Sequence, residues 1–340
     1  MKCRFLKWLL DQRWYHWVNS VISSVLGFFA HVFDVVTGRD RRVDWFQSWQ
    51  SYRHDTWPLP ESQFDITVKP CLGDPCGQYL VAIVVAYAPA EWVRKWLPPE
   101  IELQPSMINH EGNHAVAYVF GLTENLRPGW CPWPGVNYQE FAVNIPRVQL
   151  AGNESGYTGP FAYLPRLYLN RIYPTVLGWL VGYQKRLSRM TTTETSYSIR
   201  SLFSGSPILD ATFTPVGAVQ EPPHDMELDK WKFLLAQPQV TQFVGNLMYM
   251  HYHIAWRYSR LQPVRAEINV YSPDLPGVPP GHYICEPLNE LAVTNLKGYA
   301  FLVSFPFELL MPFPRKDLLM APLQPANPPQ ATPPAQPAAP

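Results

Sequence analysis

An unbroken apolar run rich in β-branched residues, YLVAIVVAYA at 79–88, predicts a strand. PAEWVRKWLPP follows it, where Pro89 suits a helix start and Pro98 with Pro99 ends that helix after two turns. HAVAYVFGL (114–122) predicts a second strand. The turn-rich segment LRPGWCPWPG separates it from YQEFAVNIPRVQL (138–150), and the glycine-marked GYTGPF leads into AYLPRLYL (162–169). RIYPTVLGWLV (171–181) suits a helix, with Pro174 in its first turn and Gly182 at its exit. SYSIRSLF, ILDATFTPVG, WKFLLA, YHIAWRYS, PVRAEINVY and AVTNLKGYAFLVSFPFELL supply further strands. Many short strands broken by turns, with two interior helices, predict a mainly β protein. The expected form is a closed or nearly closed antiparallel architecture, without alternating βαβ units.

The two ends have a different texture. WVNSVISSVLGFFAHVF, Trp17–Phe33, has no acidic or basic residue apart from the neutral His31, and it approaches the length of a spanning helix. Asn19 and three serines dilute it, and Asp34 closes it. A helix over 5–17 would group Leu6, Leu9, Leu10 and Trp17 on one side, so a surface-lying or oligomer-packing helical arm competes with a signal anchor. Up to Arg53, Lys2, Arg4, Lys7, Arg13, Arg39, Arg41, Arg42 and Arg53 outnumber Asp11, Asp34, Asp40 and Asp44, which allows peripheral contact of residues 1–37 with an anionic membrane surface. Residues 321–340 are rich in Pro and Ala and carry no charge, a composition that cannot assemble a core and predicts a disordered tail. The expected division is a helical arm over 1–60, a β domain over 61–320 and the tail.

Net charge is zero and only 16% of residues are charged, against about 25% in a typical soluble domain, so there is no electrostatic footprint for nucleic acid. Aromatic residues make up 14% of the chain and suit core, pocket wall or oligomer interface. The five cysteines have no zinc-site spacing. Cys71 and Cys76 could form a disulfide, but free thiols in a reducing, cytoplasmic setting fit better. Asn153 opens the sequon N-E-S, which matters only in a secreted protein. His251 and His253 alternate in MYMHYHIAW and could ligate a metal if a third ligand joined them, although a polar strand face explains them as well. No phosphate loop, G-x-S-x-G elbow or H-E-x-x-H is present, so no cofactor or metal is expected.

The order from Tyr138 to Arg189 is a strand with an acidic residue (YQE), a glycine-marked loop, an apolar strand ending in LPRLYL, a short helix and then GYQKRL. With YLVAIVVAYAPAEWVRKWLPPEIEL (79–103), it resembles the acetoacetate decarboxylase family, in which a YPKK- or FPKK-like motif follows the helix. These stretches cover about a quarter of the chain. The resemblance implies a double-layered, cone-like antiparallel β-barrel around an apolar cavity, in subunits that form homo-oligomers. It also implies that Lys185 forms a Schiff base, that Arg186 takes the second basic position and that Glu140 is the strand glutamate. Gln184 stands where the family has proline. No arginine begins the first strand, where Tyr79 lies instead, so Arg166 and Arg147 become the candidates for gripping a substrate carboxylate.

The chemistry implied is decarboxylation of a β-keto or related oxo acid. A protonated imine accepts the electron pair as carbon dioxide leaves. The amine must be unprotonated to form it, which an apolar pocket and a neighbouring cation both favour. The aromatic content suggests a substrate bulkier than acetoacetate. An imine-forming aldolase or dehydratase, and a non-enzymatic barrel that binds hydrophobic ligands, are the alternatives.

Overall fold

The computed structural model describes residues 13–37, 75–128, 131, 135–152, 159–180, 183–220, 237–254, 259–289, 292 and 297–313. Cys71, Asn153, Gly182, the predicted strand WKFLLA and the Pro/Ala-rich tail lie outside them.

Three α-helices are described: α1 (Arg13–Val36), α2 (Ala90–Arg94) and α3 (Ile172–Leu180). The strands are β1 (Pro75–Pro89), β2 (Ile101–Leu103), β3 (Asn113–Pro128), β4 (Val136–Leu150), β5 (Phe161–Leu169), β6 (Lys185–Thr192), β7 (Ser196–Ser201), β8 (Pro207–Pro215), β9 (Gln239–Phe243), β10 (Asn246–Ile254), β11 (Arg260–Val270), β12 (Gly281–Pro287) and β13 (Tyr299–Phe313). The apolar run at 79–88 is the middle of β1, which lies between β13 and β3. Its Val81, Ile83 and Val85 enter one core cluster while Ala82, Val84 and Ala86 enter the other. Both faces of β1 are therefore dry, which is why its sequence is continuous rather than alternating. The helix expected after Pro89 is a single turn, α2, instead of two.

The antiparallel, cone-like barrel expected from the sequence is corrected. The strands form one mixed 13-stranded sheet in the order β10-β9-β5-β6-β7-β8-β11-β12-β13-β1-β3-β4-β2, with additional β10–β13, β4–β5 and β11–β13 pairings. It does not close as a simple antiparallel barrel, for two physical reasons. The pairs β5–β6, β5–β9 and β12–β13 are parallel, and a parallel pair needs a crossover rather than a hairpin. For β5–β6 that crossover contains α3. The sheet also branches, because β13 pairs with β1, β10, β11 and β12 along its length and β5 pairs with β4, β6 and β9.

The crossover positions the site. It lifts the chain off β5 and returns it so that Lys185 pairs with Leu167 at the start of β6. The Trp179 indole N–H donates to the Lys185 carbonyl at 2.8 Å, and the Tyr183 N–H donates to the Gly178 carbonyl at 2.8 Å, fastening α3 to the strand it feeds.

Candidate active site

Glu140 is on β4, where Glu140, Ala142, Asn144 and Pro146 recur every second residue and line one cavity of about 40 Å³. Tyr79 and Ile83 of β1, Leu164 and Leu167 of β5, Tyr252 of β10 and Tyr183 contribute to the same wall. Glu140 is only 5% exposed, and its carboxylate accepts hydrogen bonds from the hydroxyls of Tyr79, Thr123 and Tyr138. Thr123 pairs with Tyr138, and Gly121 with Glu140, across β3 and β4. A methyl group at Gly121 would overlap the ring of Tyr79, so the missing side chain there is what lets that tyrosine lie across the strand to reach Glu140. Tyr79 is packed edge-on against Phe305 at 5.7 Å and Phe307 at 5.9 Å and stacked over Tyr252 at 6.5 Å, which fixes its ring.

Lys185 meets this constellation from the other side. Its Nζ donates to the Pro174 carbonyl at 3.2 Å and lies 4.8 Å from the centre of the Tyr183 ring, whose edge belongs to the cavity wall. Its stem crosses α3 at Gly178, where an added Cβ would overlap Cδ and Cε of the lysine. Burial pulls the Lys185 amine down from 10.5 to about 8, and the charge of Glu140 opposes that shift. Burial raises the Glu140 carboxyl above its ordinary range, opposed first by the Tyr79 hydrogen bond and then by the Lys185 charge. Tyr79, Tyr138 and Tyr252 are each raised by burial, then by Glu140, so all three keep their protons near neutral pH.

Of the residues singled out in the sequence, Lys185, Glu140 and Tyr79 come together and the three arginines do not. Arg186 is exposed. As the next residue on a strand it faces away from Lys185, and burial rather than a neighbouring cation lowers the amine. Arg166 acts on Tyr163 and Tyr168, which belong to the core cluster on the opposite face of the sheet. Arg147 has a left-handed backbone, φ 57°, at an irregularity between Ile145 and Val148, and its charge is felt by Tyr87, Tyr299 and His114. None of the three lines the cavity; Lys185 does not line it either, and its amine meets the wall through the Tyr183 ring. Gln184, in the place of the family's proline, donates through Nε2 to the Gln242 carbonyl.

Tyr138, Thr123, Tyr183 and Tyr252 were not singled out. The signal for two of them was present: Tyr138 stands two residues before Glu140 and Tyr183 two before Lys185, the spacing that puts side chains on one face of an extended chain. Nothing in the sequence pointed to Thr123 or Tyr252, which arrive from other strands. His251 is buried, the side chain of His253 is outside the described set, and no cluster of three or more His, Cys, Asp or Glu that could hold a metal occurs among the described residues.

The free space of the cavity is a few times the roughly 10–15 Å³ that a single water needs, so an oxo acid enters only if wall side chains move. It offers no ready space for the bulky substrate suggested by the aromatic content. Gly178→Ala is expected to push the lysine stem out of its track while leaving the amine in the chain. Modification of Lys185 by an amine-selective reagent, read by peptide mass spectrometry against pH, should then rise near the ordinary lysine range instead of near 8.

No family model matches the chain, and no curated protein sequence does. Among solved structures it is similar to the enduracididine biosynthesis enzyme MppR complexed with pyruvate, with a TM-score of 0.44 and 14% identity over 76% of this chain and 96% of that one. It is also similar to an acetoacetate decarboxylase-like enzyme from Sphingomonas wittichii RW1 (TM-score 0.45, 13% identity, 70% and 91% covered). Acetoacetate decarboxylase from Legionella pneumophila gives a TM-score of 0.43 and 14% identity, with 77% and 96% covered. These are likenesses at low identity and assign neither a family nor a reaction.

Proposed function

We propose that this protein is a lysine-dependent enzyme that forms an imine with a small β-keto or related oxo acid and releases carbon dioxide from it. The observation that carries the proposal is the half-buried Lys185 amine, lowered to about 8 by desolvation, which packs on Tyr183 of the cavity wall and feels the charge of the buried Glu140 in that wall. At pH 7 an amine with an ordinary pKa of 10.5 is almost wholly protonated. Lowering it to about 8 raises the free fraction roughly 300-fold, to about a tenth.

The free amine adds to the ketone carbon, and the carbinolamine takes up a proton from water and loses its hydroxyl as water to give a protonated imine. The bond to the carboxylate then breaks, its electron pair moves to the iminium nitrogen, and carbon dioxide departs from an enamine. Glu140, in the cavity wall, relays a proton from water to the enamine carbon. Hydrolysis of the resulting imine returns the ketone and the free amine. Tyr79, Tyr138 and Thr123 hold the Glu140 carboxyl in place through this cycle.

The test is carbon dioxide release from a panel of β-keto acids between pH 6 and 9, an interval centred on the range where the amine titrates. The expected result is release above the spontaneous rate that grows as pH rises towards 8 and disappears in Lys185→Met. Release at the same rate in Lys185→Met, or none above background with any acid, would overturn the proposal.

A further inference from the structure

Helix α1 presents its larger apolar side chains to the outside. Ser24 and Gly27 are buried against the body of the protein, and a Cβ at Gly27 would lie 2.9 Å from the Tyr173 hydroxyl. Ala30 packs with Val136, Tyr138 and Leu169. The outward face carries Ile22, Val25, Leu26, Phe29 and Phe33, with Phe29 63% exposed. Helix α3 is in contact with α1 and extends the same surface with Ile172, Val176 and Trp179. An amphipathic helix on a water-exposed protein has the reverse arrangement, so this face is built to be covered.

Charge indicates what covers it. No Asp, Glu, Lys or Arg stands between Arg13 and Asp34, while basic residues gather on both sides of that stretch: residues 1–53 hold eight bases and four acids, a net of +4 in a chain whose total is zero. Next to the apolar face lies a groove of about 760 Å³ bordered by Ala30 and Phe33 of α1 and Ile172 of α3. Its charged lining residues are Arg171 and Arg189, with no carboxylate among them. The Ser188 hydroxyl, on a residue only 3% exposed, also lines the groove and has no hydrogen-bond partner. An apolar face beside a cationic, hydroxyl-bearing groove complements acyl chains next to phosphate. A second copy of the chain related by a two-fold axis through this face would instead bring the Arg171 and Arg189 pairs of both copies towards each other. Among the described residues no helix is long and apolar enough to cross a membrane.

We propose that α1 and α3 dock the protein on an anionic bilayer. Helix α1 lies along the interface with Phe29 and Phe33 among the acyl chains, and a lipid phosphate sits at Arg171, Arg189 and Ser188.

The test uses the full chain, sedimented with vesicles of phosphatidylcholine alone or with about one-third phosphatidylserine. The expected result is co-sedimentation with the anionic vesicles that weakens in high salt and is about tenfold weaker with the neutral ones. Phe29→Gln with Phe33→Gln should abolish binding to both while the melting temperature stays unchanged, because both side chains are exposed. Arg189→Gln should weaken binding to the anionic vesicles by about fivefold and leave the neutral ones unaffected. Wild-type protein that stays in the supernatant, or a double phenylalanine variant that still sediments, would overturn the proposal. So would a dimer seen by light scattering that this variant converts to monomers, which would assign the face to a second copy.

Discussion

Sodium borohydride added to the folded protein with pyruvate or acetoacetate is expected to leave a mass increment confined to Lys185, and Lys185→Met is expected to leave none. Reduction fixes only the imine, so the increment reports which amine forms it. Surface lysines keep almost all of their protons at neutral pH, whereas the Lys185 amine is drawn by burial to about 8 and therefore competes with a large advantage per residue. The increment should grow as pH rises from 6 towards 9 and level off above the Lys185 pKa. Increments spread evenly over many lysines, or none with any oxo acid, would sink the imine chemistry. The same shift bears on stability. Folding lowers this pKa from 10.5 to about 8, so between those values the unfolded chain binds more protons than the folded one, and stability rises with pH across that window. Lys185→Met should remove that part of the slope in denaturant titrations at successive pH values.

Glu140→Ala is expected to cost about 3 kcal/mol or more of stability, because it leaves the hydroxyls of Tyr79, Thr123 and Tyr138 without their shared acceptor and leaves the Lys185 charge without its opposing one. Urea denaturation at pH 7 measures it. Glu140→Gln keeps an acceptor oxygen and should cost less, which separates the lost hydrogen bonds from the lost charge. It should also change the chemistry in a definite direction. The Glu140 charge holds the Lys185 pKa up, so its removal should shift the inflection for borohydride trapping below 8. An inflection that stays in place, or moves up, would show that the amine does not sense the carboxyl.

Local pattern settled more of the fold than of its connectivity. The apolar run in β1, the turn-bounded strand β4 and the proline-started helix α3 were legible because each is a property of a single segment. The three-residue β2 and the short β9 and β12 were not, since strands of that kind are recognised only once a neighbour pairs with them. The parallel β5–β6 pairing also escaped. The helix between them was read correctly, but the direction in which the chain returns depends on how that helix packs, and no periodicity records it.

The same division runs through the candidate site. Lys185, Glu140 and Tyr79 could be named from the order of residues along the chain, and the two-residue spacing to Tyr183 and Tyr138 was there to be used. The family resemblance also offered Arg186 as the second basic position, and Arg166 and Arg147 as candidates for gripping a substrate carboxylate. The tertiary structure leaves Arg186 exposed on β6 and Arg166 and Arg147 outside the cavity lining. It also supplied what the chain order could not hold: Gly121 making space for Tyr79, Gly178 making space for Lys185, and Thr123 and Tyr252 approaching from separate strands. A sequence states which groups can titrate, donate or accept. How far water is removed from them, and which distant strand faces them, is settled by packing, and that removal of water is what brings the amine of Lys185 to about 8.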